Sequence, residues 1–217
     1  MRTYLRSAVL ALAVLALALA ACSGLPAVNE ETRVEAGAAF EGDINTVNGG
    51  VFVGEGARVR GDVITINGPI SIDGRAEVGV LQTINGAVTL EAGVGVRGGI
   101  GSINGPVTCG PGSRVDGGIA TVNGAVALDG AEVKGTVKTH NGAVTLRDGA
   151  TVRGDIVIEA QEGDRIPVDT LLVRLEGGSV LRGGVRAAAS RRPVEVHLSG
   201  GSRVLGRVDG ARLTERP

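Results

Sequence analysis

Apolar and polar residues alternate along this chain in short runs that return at a nearly fixed distance. Asn-Gly begins at Asn48, Asn67, Asn85, Asn104, Asn123 and Asn141, with steps of 19, 18, 19, 19 and 18 residues. A period in this range marks a repeat architecture and governs every later reading. Four residues before each Asn stands Ile44, Val63, Leu81, Ile100, Ile119 or Val137, and two before stands a Thr or, once, Ser102. Three residues after it come Val51, Ile70, Val88, Val107, Val126 and Val144, and five after it Val53, Ile72, Leu90, Cys109, Leu128 and Leu146. The i, i+2 spacing of these last columns turns one strand face inward. Each unit then closes on a Val in a glycine-flanked phrase such as "GARVRG" or "GSRVDG".

Asn-Gly is the strongest short hairpin signal, so an antiparallel meander or barrel is one fold to weigh. A meander, however, needs agreement only across each strand pair. Here five apolar columns, a Thr column, an Asn column and several Gly columns persist together. A parallel β-solenoid explains this, because each coil lies directly on the last, about 4.8 Å away. The expected fold is therefore all-β, a single-stranded parallel β-helix of 18–19 residues per coil. A membrane barrel is disfavoured by the missing aromatic girdles.

On this reading Asn-Gly is a corner. Asn tolerates the left-handed backbone region, and its amide can both donate to and accept from the Asn above and below. Gly beside it is expected to relieve the steric cost of the bend. One conflict remains: the Thr and the Val or Ile between it and Asn cannot both face inward from a regular strand. A bulge or an early corner is expected there.

The ends differ from the array. The chain opens "MRTYLRSAVLALAVLALALAACSG", with Arg2 and Arg6 ahead of an uncharged apolar run from Ser7 to Ala21. That is the form of an export signal. Its last residues, Leu19-Ala20-Ala21-Cys22, resemble the bacterial lipoprotein box. The resemblance implies cleavage before Cys22 and acylation of that residue, anchoring the chain to a membrane. Ser23 in second place resembles lipoproteins forwarded to the outer membrane of Gram-negative bacteria. Residues 1–21 are thus expected to be a signal, 22–41 a lipidated tether or cap, 42–158 the regular solenoid, and 159–217 degenerate coils with loop insertions. The insertions are "EAQEGDRIP" and "AAASRRP", and Arg191 and Arg192 in the second are the candidate partner contacts.

Charge narrows the function. Without residues 1–21 the chain has 20 Lys and Arg against 23 Asp and Glu, which leaves no basic footprint for nucleic acid. The balance is uneven: residues 22–159 hold 10 basic and 16 acidic side chains, residues 160–217 hold 10 and 7.

No reactive constellation emerges from the repeat. His140 replaces the aliphatic residue before Asn141, and His197 lies near the end, neither with an evident acid at a repeat-related position. Both are read as tolerated substitutions rather than as the catalytic His of hexapeptide acyltransferases. Asp43, Asp62 and Asp155 sit at coil starts without grouping and are assigned to solvated surface, as is Arg97. No metal motif or phosphate loop is found, no cofactor is expected, and Cys109 is read as a packing residue.

The units "VFVGEGARVRGDV" and "VTLRDGATVRGDI" resemble bactofilins, polymer-forming bacterial proteins, across residues 42–158 and more faintly to 213. The Thr-Val/Ile-Asn-Gly units also resemble adhesin-like β-helix families. These resemblances imply a right-handed helix; with no reactive constellation in the repeat, the expected role is a non-catalytic cell-envelope scaffold or adhesin-like surface, the alternatives being a self-assembling polymer like the bactofilins and, after it, a β-helix carbohydrate-active enzyme or acyltransferase. The expected partners are a membrane through the lipid, a second copy, or an envelope protein or polysaccharide.

Overall fold

The computed structural model describes residues 27–159, 169–187, 190 and 192–216. The segment expected to be an export signal, Cys22 and Arg191 lie outside the described residues. Within them the chain is all-β, a solenoid of about nine turns built from three parallel sheets. The expected parallel β-helix is the fold observed.

One middle turn shows the plan. Ile100–Ser102 lies in the first sheet, Val107–Cys109 in the second and Arg114–Val115 in the third. The first two sheets have ten strands each and the third has nine, every neighbour one turn away in sequence. Register is strict: Leu81 pairs with Ile100, Val88 with Val107 and Val96 with Val115. Identical columns follow from this geometry, since each residue's neighbours along the axis are its own counterparts.

The core is one continuous cluster of small aliphatic side chains from Val34 to Leu198. Five inward columns begin at Ile44, Val51, Val53, Ala57 and Val59, all buried. The Ala57 column continues through Ala76, Val94, Ser113, Ala131 and Ala150, and its small size let it pass unnoticed in the pattern. Full burial of a Val or Ile is worth about 1.5–3 kcal/mol, so repetition replaces large side chains.

The conflict between Thr and its aliphatic neighbour resolves in favour of Thr. Thr46, Thr65, Thr83, Ser102, Thr121 and Thr139 are buried. The hydroxyls are satisfied locally: Ser102 Oγ donates to the Gly105 carbonyl at 2.8 Å, and Thr121 Oγ1 does the same to Gly124 at 2.8 Å. Val47, Ile66, Ile84, Ile103 and Val122 turn outward instead and are half-buried.

Two boundaries move. Ala27–Val28, Thr32–Val34 and Ala39–Phe40 form a complete turn paired with the next, so most of the segment expected to be tether already belongs to the solenoid. At the other end two turns and part of a third follow Ile158, ending with Arg212–Glu215. Both insertions leave between a first-sheet and a second-sheet strand, at the corner that Asn-Gly turns elsewhere.

Candidate functional site

The Asn corner is a continuous ladder. Asn104 Nδ2 donates to Asn85 Oδ1 at 2.7 Å, and Asn123 Nδ2 donates to Asn104 Oδ1 at 2.8 Å. The same bond joins Asn67 to Asn48, Asn85 to Asn67 and Asn141 to Asn123. Asn48 donates in turn to Asn29 at 2.9 Å, a sixth bond that makes Asn29 the seventh Asn of the ladder. Asn29 precedes Glu30 rather than Gly, and only its 19-residue spacing from Asn48 could have revealed it.

The backbone reason for this corner differs from the expected one. Only Asn29 and Asn48 adopt positive φ, at 60° and 59°, so the left-handed region is not what the column needs. The following Gly is required by crowding. A Cβ on Gly105 would overlap the carbonyl oxygen of Gly86, and one on Gly124 would overlap that of Gly105. The left-handed corner lies elsewhere, between the second and third sheets, at Gly56, Gly93 and Gly112, with Arg75 at φ 60° in the same series.

Where the ladder ends, the insertions begin. Arg192 reaches back 51 residues, with Nη1 3.5 Å from Asn141 Oδ1, while its Nε donates to the Asp169 carbonyl at 3.1 Å. Arg192 is therefore tied into the ladder's end rather than extended as a bare loop contact. Beside it His140 Nε2 is 3.4 Å from Glu159 Oε2, and Lys138 Nζ is 4.0 Å from Glu159 Oε1. His140 and Glu159, 19 residues apart, are successive members of the outward aliphatic column, so an acid does stand at the repeat-related position and the expectation that His140 has none is corrected. The His140 side chain is only 10% exposed, and among the described residues Nδ1 has no hydrogen-bond partner. His197 pairs with Glu195 two residues away, Nε2 to Oε2 2.9 Å, across the outer face of one strand.

The acids at coil starts lie at the surface, as expected, and also serve as structural acceptors. Asp43 Oδ1 accepts from the Asp62 amide at 2.8 Å, and Asp62 Oδ1 from the Val80 amide at 2.9 Å. Asp155 Oδ1 accepts from the Gly184 amide at 2.8 Å, and its other oxygen meets Arg186. The Gly184 bond first, and Arg186 after it, hold the Asp155 carboxyl below its usual range.

Chemically, the rest is quiet. Cys109 is a buried free thiol in the second-sheet core column, and burial, helped by the charge of Asp129, pushes it up to about 12. Among the described residues no three His, Cys, Asp or Glu side chains group as metal ligands. Exposed ion pairs lace the third sheet: Arg153 to Glu132 at 2.6 Å and Lys134 to Asp116 at 2.8 Å. Such pairs each contribute little to stability.

No known family, curated protein or solved structure matches this chain.

Proposed function

We propose that this protein is a lipid-anchored, non-catalytic β-solenoid of the bacterial cell envelope, acting as a scaffold or adhesin-like interaction surface. The observation that carries this reading is the division of labour along the repeat. Among the described residues, Cys109 is buried as packing, Asp43, Asp62 and Asp155 accept backbone amides, and His140 and His197 are each paired with a single glutamate. What remains is a stiff, regular surface, and the export signal with its Cys22 box supports placement at a membrane. Fold alone does not assign function; the combination of address and inert surface does the arguing.

The anchor is tested by feeding labelled palmitate to cells expressing the chain and its Cys22→Ser variant. Label on the former and none on the latter supports the anchor. The non-catalytic reading is tested by turnover assays on envelope polysaccharides, where activity abolished by His140→Ala or Glu159→Gln would overturn it.

Self-assembly is the second reading. Among the described residues, the outermost strand of each sheet has no partner on its outer side, a template for further pairing. The exposed large apolar residues, Val28, Phe40, Leu205 and Leu213, all lie on the first turn or in the last residues of the solenoid. Light scattering across concentration decides between a discrete mass and a growing one.

A further inference from the structure

The last turn carries a ring of arginines. Every arginine from Arg33 to Arg153 is engaged: seven in ion pairs and Arg97 on a backbone carbonyl. Arg203, Arg207, Arg212 and Arg216, all exposed, make no ion pair or side-chain hydrogen bond among the described residues, nor does the exposed Arg182 one turn below. Their places in the fold spread them round the rim. Arg203 is on the third sheet, Arg207 at the corner that follows it, Arg212 at the start of the final second-sheet strand, and Arg216 just past its end. Leu205, 62% exposed, sits among them, while Leu213, 44% exposed, pairs in register with Val196 and tops a core column beside Glu215.

The centre of this end is unsuited to a dry interface. Glu215 pairs in register with Leu198, which pairs with Leu175 and so on down through Leu146 and Leu128 to Cys109. A carboxylate thus occupies the position that holds an aliphatic core residue in the turns below. Stacking another solenoid here would bury it, and burying an unpaired charge is costly. Inward-pointing charges are a recognised protection of open edges. The end therefore stays hydrated; among the described residues its rim carries four guanidinium groups and the single exposed carboxylate of Asp209.

We propose that this C-terminal end docks, end-on, against an anionic phospholipid surface. Guanidinium forks match phosphate geometry, and exposed leucines suit the headgroup boundary. A hydrated headgroup layer also tolerates Glu215 and the unpaired strand edge. The remainder of the chain is acidic, with 16 Asp and Glu against 10 Lys and Arg over residues 22–159. That asymmetry turns the C-terminal end toward negative charge and the rest away. The inference does not depend on lipid at Cys22.

The test is vesicle sedimentation of residues 22–217 carrying Cys22→Ser, which lacks both the apolar run of residues 7–21 and the acylation site. Vesicles of phosphatidylcholine are compared with vesicles containing roughly one-third phosphatidylglycerol, near 0.1 M and near 0.5 M salt. Binding is expected on the anionic vesicles only, and is expected to weaken at high salt. Arg207→Ala, Arg212→Ala and Arg216→Ala combined should lower the partition about 100-fold, at about five-fold per arginine. Arg58→Ala, Arg60→Ala and Arg147→Ala combined remove the same charge from paired positions and should leave binding intact. Melting curves confirm that both triple variants are folded. No binding, equal binding to neutral vesicles, or an arginine triple variant that binds like the parent overturns the proposal. So does a mass that grows with concentration and reverts to monomer in that variant, which would make a second copy the partner.

Discussion

Arg97 Nη2 donates to the carbonyl oxygen of Val59 at 2.8 Å, across 38 residues and over an intervening turn. Elsewhere at this corner the backbone does the same work: Arg60 N donates to Phe40 O, and Asp116 N to Val96 O. Between Val78 and Leu81 the chain is one residue short, and the Gly79 amide pairs with Gly61 O instead. The Arg97 side chain replaces the amide that the short turn lacks.

Arg97→Ala should therefore destabilise by about 1–3 kcal/mol, the usual range for a carbonyl left without its partner. Denaturant melts measure it. Inserting an alanine between Val78 and Gly79 restores an amide and should make Arg97→Ala nearly neutral; an unchanged cost in that background would refute the assignment.

At the Asn corner, Gly matters more than Asn. Asn104→Ala removes two exposed ladder bonds, to Asn85 and from Asn123, and should cost about 1–2 kcal/mol. Gly105→Ala drives a Cβ into the Gly86 carbonyl and should cost about 3 kcal/mol or more. Equal melting temperatures for the two would contradict the crowding argument.

Arg75 holds φ 60° where neighbouring turns place Gly56 and Gly93. Arg75→Gly loses an exposed pair with Glu55, a small effect, and relieves a strain of about 1–2 kcal/mol. A net gain of up to about 1 kcal/mol is expected in thermal melts.

Cys109, buried and with its thiol pushed up to about 12, should resist maleimide at pH 8 in the native chain and react fully in denaturant. Rapid native labelling would show that the middle turns open.

The Asp155 carboxyl lies below its ordinary value in the folded chain, so its contribution is present above the unfolded pKa and lost as pH falls through the folded one. Asp155→Asn should lower stability at neutral pH, and the difference from the parent should shrink as pH drops below about 4. A difference that stays constant down to the lowest accessible pH would exclude the linkage.

What the sequence by itself determined is the architecture. In a parallel solenoid each residue stacks on its counterpart one turn away, so a local choice at Val51 or Val107 is also a tertiary contact, and periodicity reports the fold directly. Anything repeated was legible: the turn length, four of the five core columns and the six Asn of the Asn-Gly corners. Only the tertiary structure decided what departs from the repeat. The inward choice of Thr over Ile, the overlap that demands Gly105, the bond from Arg97 to Val59 and the placing of Glu215 above Leu198 all depend on the space left by adjacent turns. That space is a property of stacked backbones, and spacing along one chain does not contain it.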